Sequence, residues 1–221
     1  MRFPGTALST FLRQVGLYHP LRDWRRGQRF HRTSQAQISQ WRSHGCPAPA
    51  PDYVKYGVLR DYARRHHCHT LVETGTFYGN APFTLRHDFT SIHTIELATE
   101  LYELNRAELG HLPHVQLHYG DSATVLPRLL PDLPDPTLFW LDGHFCAGPS
   151  ARGEADTPIS AELELLLARP PGADVILIDD ARLFLGDNGY PSLAQVEALV
   201  RAQRPSASCT AELDIIRIAP V

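Results

Sequence analysis

The sequence predicts an α/β protein: a three-layer αβα sandwich around a mostly parallel sheet, preceded by a basic helical arm. Three observations carry this. Short apolar runs alternate with helix-length amphipathic segments from residue 53 onward, the pattern of βαβ units. One run, Asp174-Val-Ile-Leu-Ile-Asp179, is almost continuously apolar, which suits a strand buried on both faces. A glycine, an acid or both follow each of five runs in turn.

The elements read in order as follows. A helix is predicted over residues 53–66, with Val54, Val58, Tyr62 and Arg65 near one stripe. Thr70-Leu-Val-Glu-Thr74 is a short strand ending in a Gly-containing turn. Residues 80–88 form a short helix that tolerates Pro82 in its first turn. Ser91-Ile-His-Thr-Ile-Glu96 alternates like a strand. Residues 98–109 place Ala98, Tyr102, Asn105 and Leu109 on one helical face. Val115-Gln-Leu-His118 is the third strand, and Asp121 or Ser122 caps a helix running through Leu130. Thr137-Leu-Phe-Trp-Leu-Asp142 is the fourth strand, residues 159–168 are a helix, and residues 174–179 are the fifth strand. Residues 192–202 are a helix with Leu193, Val196 and Val200 inward, and Ile215-Ile-Arg-Ile218 is a last strand, a candidate hairpin partner for residues 207–212.

Cys46-Pro-Ala-Pro-Ala-Pro51 is the clearest linker, because alternating prolines break any helix. It divides an arm, residues 1–50, from a domain, residues 51–221. The arm holds eight arginines and one acid, a net +7, which leaves −10 for the rest of a chain of net charge −3. Such an arm is either a solvated segment or a contact for another subunit, nucleic acid or an anionic membrane surface. An acidic body makes nucleic acid an unfavourable partner. No apolar run approaches the ~20 residues of a membrane helix. The N-terminus lacks a basic start followed by an unbroken apolar stretch. The four cysteines, 46, 68, 146 and 209, are dispersed, so free thiols and a cytoplasmic location are expected. His66-His-Cys-His69 is not read as a metal site, since consecutive side chains point in different directions.

Right-handed crossovers place the C-terminal ends of parallel strands on one rim, where open α/β sheets bind ligands. Glu73-Thr-Gly-Thr-Phe-Tyr-Gly79 makes the first strand-to-helix turn there. Glycines at 75 and 79 allow close backbone approach. The spacing is not GxGxxG, so no pyrophosphate need be cradled, which disfavours a nicotinamide oxidoreductase. The turn suits a ligand with a nucleoside and an amino-acid tail. Glu96, ending the second strand, can accept hydrogen bonds from ribose hydroxyls. Asp121, in Gly120-Asp121-Ser122, can face an adenine amino group.

These three segments make residues 52–221 resemble class I S-adenosylmethionine-dependent methyltransferases, whose fold is Rossmann-like. The resemblance implies S-adenosylmethionine as cofactor. It would be held by Glu73, Thr74, Gly75, Thr76 and Gly79 on the methionine side, by Glu96 at the ribose, and by Asp121 and Ser122 at the adenine. It also implies a terminal antiparallel strand pair.

The other end of the rim carries Trp140-Leu-Asp-Gly-His-Phe145 and Ile178-Asp-Asp-Ala-Arg182. Three converging carboxylates, Asp142, Asp179 and Asp180, repel unless protons or a cation intervene. Hard oxygen donors favour Mg2+, while Arg182 can pair with an aspartate and compete with any cation. Asp142 and His144 are the catalytic candidates, His144 because it titrates near neutrality and can take the acceptor's proton. The segments resemble metal-dependent macrocin-type sugar O-methyltransferases, which carry L-D-G-D and D-D at these positions; here His144 replaces the last acid. Two readings stay open: a metal at Asp142, Asp179 and Asp180, or metal-free transfer with His144 as base. The polar loop 147–158 beside it reads as a candidate lid. The expected acceptor is a hydroxyl of a small molecule or of a sugar or glycan precursor. The rival is a non-catalytic or other nucleotide-binding protein of the same fold.

Overall fold

The computed structural model describes residues 9, 12, 16–143, 157–170 and 172–221. His144 and most of the polar loop after it therefore lie outside the described residues. The chain forms two compact units, residues 1–46 and 47–221. Among the described residues the first contains one long helix, α1 (Tyr18–Ser43), which carries six of the arm's arginines. No helix among the described residues is long and apolar enough to cross a membrane.

The second unit opens with α2 (Asp52–Arg65). There follow β1 (Thr70–Thr74), α3 (Asn80–Leu85), β2 (Ser91–Glu96), α4 (Thr99–Leu109), β3 (Val115–Tyr119) and α5 (Ser122–Leu129). Next come β4 (Thr137–Leu141), α6 (Ile159–Leu167), β5 (Val175–Ile178), α7 (Leu193–Gln203), β6 (Ala207–Glu212) and β7 (Ile215–Pro220). The sheet order is β3-β2-β1-β4-β5-β7-β6. Strands β1 to β5 pair in parallel, and β7 runs antiparallel between β5 and β6. Helices cover both faces, giving the Rossmann-like αβα sandwich that the sequence predicts.

The register explains the core. Val72, Phe139, Ile176 and Ile218 lie side by side across four strands, and Leu141, Ile178 and Ile216 form the next row. Period-2 alternation sends both rows to the same face. There they pack on Val125 and Leu126 of α5, Leu163 and Leu166 of α6, and Val196 and Val200 of α7. Each such side chain contributes about 1.5–3 kcal/mol on burial.

The elements differ from their sequence reading in two instructive ways. α3 stops at Leu85, shorter than residues 80–88. In α2 the buried positions are Lys55, Tyr56, Leu59 and Ala63, not the stripe through Val54 and Val58. The hairpin β6–β7 is present, closed by Leu213 and Asp214, both at left-handed φ (54° and 64°) as a tight two-residue hairpin turn requires.

Candidate active site

The strand order reverses between β1 and β4, the point at which doubly wound sheets open a crevice. A cavity of about 1140 Å³ lies there, at the C-terminal ends of the strands. Glu73, Gly75, Thr76, Glu96, Asp121 and Ser122 line one part of it. Asp142, Asp179 and Asp180 line another. Thr74 and Gly79 are not on its wall: Thr74 is fully buried in β1, and Gly79 caps α3 at φ +65°.

The first turn is held by backbone and by hydroxyls. Gly75 and Thr76 both donate N–H to the Ile95 carbonyl, at 3.0 and 3.1 Å. Thr94 Oγ1 donates to Glu73 Oε2 at 2.6 Å and meets Thr76 Oγ1 at 2.6 Å. Burial pushes the Glu73 carboxyl up to about 8, the Thr94 hydrogen bond offsetting part of this and Glu96 adding to it. Buried Asn105 of α4 donates to the Phe77 carbonyl, fixing the far side of the turn.

Glu96 ties two turns together. Its Oε2 accepts the Phe77 N–H and its Oε1 the Ala98 N–H, both at 2.8 Å. Burial raises its pKa, while those backbone donors pull it down. The carboxylate keeps acceptor capacity for a hydroxyl from the cavity. Asp121 is both wall and cap: its Oδ1 accepts the Ala123 N–H of α5 at 2.9 Å.

The opposite end contains two residues that the sequence reading missed. α2 leads into β1 and packs against β4 and β5, so its first turn lies at the same rim as the strand ends. It carries Lys55 and Tyr56 into the cavity wall. Lys55 Nζ donates to Asp179 Oδ2 at 2.6 Å and stands 3.8 Å from Asp180 Oδ1. Burial alone would depress the Lys55 pKa, but Asp179, with Asp142 and Asp180, holds it above its ordinary value. Asp179 Oδ1 accepts the Asp180 N–H at 2.8 Å, and Asp180 Oδ1 accepts Arg182 Nη1 at 2.6 Å. Asp214, in the β6–β7 turn, receives the same guanidinium and the Arg182 N–H. Asp142 is pushed well above its ordinary range, first by burial and then by Asp179, with Lys55 opposing. Burial does the same to the Tyr56 phenol, reinforced by Asp52, Glu73 and Asp142.

Among the described residues the geometry lends no support to Mg2+ at Asp142, Asp179 and Asp180, one of the two readings the sequence leaves open. The three carboxylates do converge, but the cation among them is the Lys55 ammonium. Three of the four oxygens of the Asp179–Asp180 pair already accept hydrogen bonds from N–H groups. A Mg2+ ion needs oxygen ligands at ~2.0–2.1 Å and would compete with all of them. Among the described residues no group of three His, Cys, Asp or Glu side chains is arranged to hold a metal.

Glu162 of α6 is a second omission. Burial pushes its carboxyl up to about 7, with Ser122 and Thr74 pulling the other way. Neither carboxylate oxygen has a well-formed hydrogen bond among the described residues. Between its ordinary value of 4.5 and about 7 the unfolded chain ionises this group while the folded chain keeps the proton. Folding stability is therefore lost as pH rises through that window. Glu162→Gln is expected to melt about 5 °C above wild type at pH 8 and within about 1 °C of it at pH 4.5, in the ligand-free protein. Calorimetric melting profiles of the two proteins that run parallel with pH would exclude this account.

No protein-family model and no curated protein matches the sequence. Solved structures do match. An O-methyltransferase from Bacillus cereus in complex with SAH aligns over 85% of this chain and 90% of that one, at 14% identity and TM-score 0.57. A putative rRNA-methylase from Clostridium thermocellum aligns over 75% and 96%, at 12% identity and TM-score 0.54. A putative caffeoyl-CoA O-methyltransferase from Staphylococcus aureus aligns over 87% and 98%, at 15% identity and TM-score 0.53. The chain thus has the Rossmann-like fold of S-adenosylmethionine-dependent methyltransferases, at identities where the shared property is the fold.

Proposed function

We propose that the protein is an S-adenosylmethionine-dependent methyltransferase acting on a hydroxyl of a small molecule or of a sugar or glycan precursor. The observation that carries this is the single cavity at the β1/β4 switch point, with the Gly75 turn, Glu96 and Asp121 at one end and a carboxylate–lysine cluster at the other. Its volume of about 1140 Å³ is large enough for a nucleoside cofactor together with a small acceptor.

In this reading Gly75 and Thr76 face the methionine part of the cofactor, Glu96 the ribose hydroxyls, and Asp121 the adenine. Bound cofactor supplies an electrophilic methyl on a sulfonium sulfur. That methyl would pass from sulfur to the acceptor oxygen, with S-adenosylhomocysteine as the other product. The acceptor's proton must go to a base. Asp142, which lines that end of the cavity, is one candidate to take it, and His144, two residues further on, is the other. The protein's own part is alignment and exclusion of water. Free thiols at Cys46, Cys68 and Cys209 suit a cytoplasmic site of action.

The test is a calorimetric titration of S-adenosylhomocysteine into wild type and Asp121→Ala, followed by a screen of hydroxylated compounds and sugars for methyl incorporation from labelled cofactor. Wild type is expected to bind, and Asp121→Ala to bind about 5–10-fold more weakly through one lost hydrogen bond. Absence of binding to wild type, with tight binding of NADH instead, would overturn the proposal.

A further inference from the structure

We propose that the Lys55 ammonium is the built-in cation of the acceptor end, taking the position a divalent ion would hold among the carboxylates after β4 and β5. The site would then hold and orient an acceptor oxygen without metal. This rests on the methyltransferase reading only for the identity of what the cation faces.

Three observations support it. Lys55 comes from α2, outside the strand-turn-helix units that supply every aspartate it meets, yet its side chain is only 8% exposed. Its Nζ lies 2.6 Å from Asp179 and 3.8 Å from Asp180, and Asp142 also acts on it. A lysine buried among carboxylates is a charge-matched component; without it, Asp179 would lose its only cation within 4 Å among the described residues, while Asp180 would keep Arg182. The remaining hydrogen bonds of the pair are filled from within the chain, by the Asp180 N–H and by Arg182. Three of the four oxygens of the pair are thus met by fixed groups of the chain.

Lys55 also lines the cavity. It carries three N–H donors, of which one makes the 2.6 Å bond to Asp179. A donor left toward the cavity can take an acceptor oxygen and favour it as it loses its proton, the task otherwise given to a metal. Lys55 is in this sense a positioning residue, and Asp179 in turn aims it.

The proposal predicts a gain of metal binding when the lysine is removed, which a merely structural role would not produce. MnCl2 is titrated calorimetrically into wild type, Lys55→Met, Lys55→Gln and the double variant Lys55→Met/Asp179→Asn. S-adenosylhomocysteine binding is measured in each as the check on folding. Wild type is expected to give no saturable Mn2+ binding below millimolar concentration. At least one single variant that still binds S-adenosylhomocysteine should bind Mn2+ at least about tenfold more tightly than wild type. The double variant should lose that gain. Mn2+ binding to wild type as tight as to the variants would overturn the proposal, because the lysine would then not hold the position. So would single variants that bind S-adenosylhomocysteine but not Mn2+. A wild type that fails to bind S-adenosylhomocysteine sinks the methyltransferase reading alone and leaves the Mn2+ comparison to decide this one. If neither single variant retains a fold, as judged by circular dichroism, Lys55 is a structural ion-pair partner and the proposal falls.

Discussion

Gly75→Ala is expected to abolish S-adenosylhomocysteine binding and to destabilise the fold by about 3 kcal/mol, a drop of roughly 10 °C in melting temperature. Gly75 sits at φ +88°, where a side chain is strained in any surroundings. A Cβ there would stand 2.6 Å from the Asp142 carbonyl oxygen and 2.9 Å from its carbon. Neither atom can yield cheaply. The Asp142 N–H is bonded to the Thr74 carbonyl at 3.1 Å, and β1 and β4 pair along their whole length. Relief must come from moving the turn, and the turn forms the proposed cofactor end of the cavity. Differential scanning calorimetry and a ligand titration check the two parts separately. A variant melting within about 2 °C of wild type and binding within about twofold would show that the turn is not the cofactor cradle.

Glu96→Ala is expected to weaken S-adenosylhomocysteine binding about 100-fold, close to 2.7 kcal/mol. Two losses combine. The carboxylate proposed to meet the ribose hydroxyls is gone, and the Phe77 and Ala98 N–H groups lose their acceptor. The second loss loosens the turn that Gly75 shapes, so the mutation acts on both sides of the nucleoside. Glu96→Gln keeps one oxygen acceptor and replaces the other by a donor, and should fall between wild type and alanine. Isothermal titration ranks the three. An alanine variant as tight as wild type would remove Glu96 from the site.

The parallel core was legible because its signals are local. β1, β4 and β5 are apolar runs bounded by turn residues, and their rim residues follow directly in sequence. Asp121 could be read as a cap from its place before α5, and it is one. Lys55 was not legible, because nothing local marks it. Its partner Asp179 lies 124 residues further on, and a lysine on a helix with several apolar stripes reads as solvated. The stripe through Val54 and Val58 competed with the true one through Leu59 and Ala63, and periodicity could not rank them. The convergence of Asp142, Asp179 and Asp180 followed from the strand order, but the identity of the cation between them is a long-range property. Glu162 escaped for a similar reason: a glutamate in α6 shows its burial only once α6 is packed on the sheet.

Asp214 brings a temporal order with it. The turn between β6 and β7 grips Arg182 and the N–H of Ala181, and Arg182 grips Asp180. One wall of the crevice is thus fastened by a hairpin about a hundred residues further along the chain than the glycine turn and its glutamate. A growing chain can shape the end around Gly75 and Glu96 well before the end around Asp179 and Asp180.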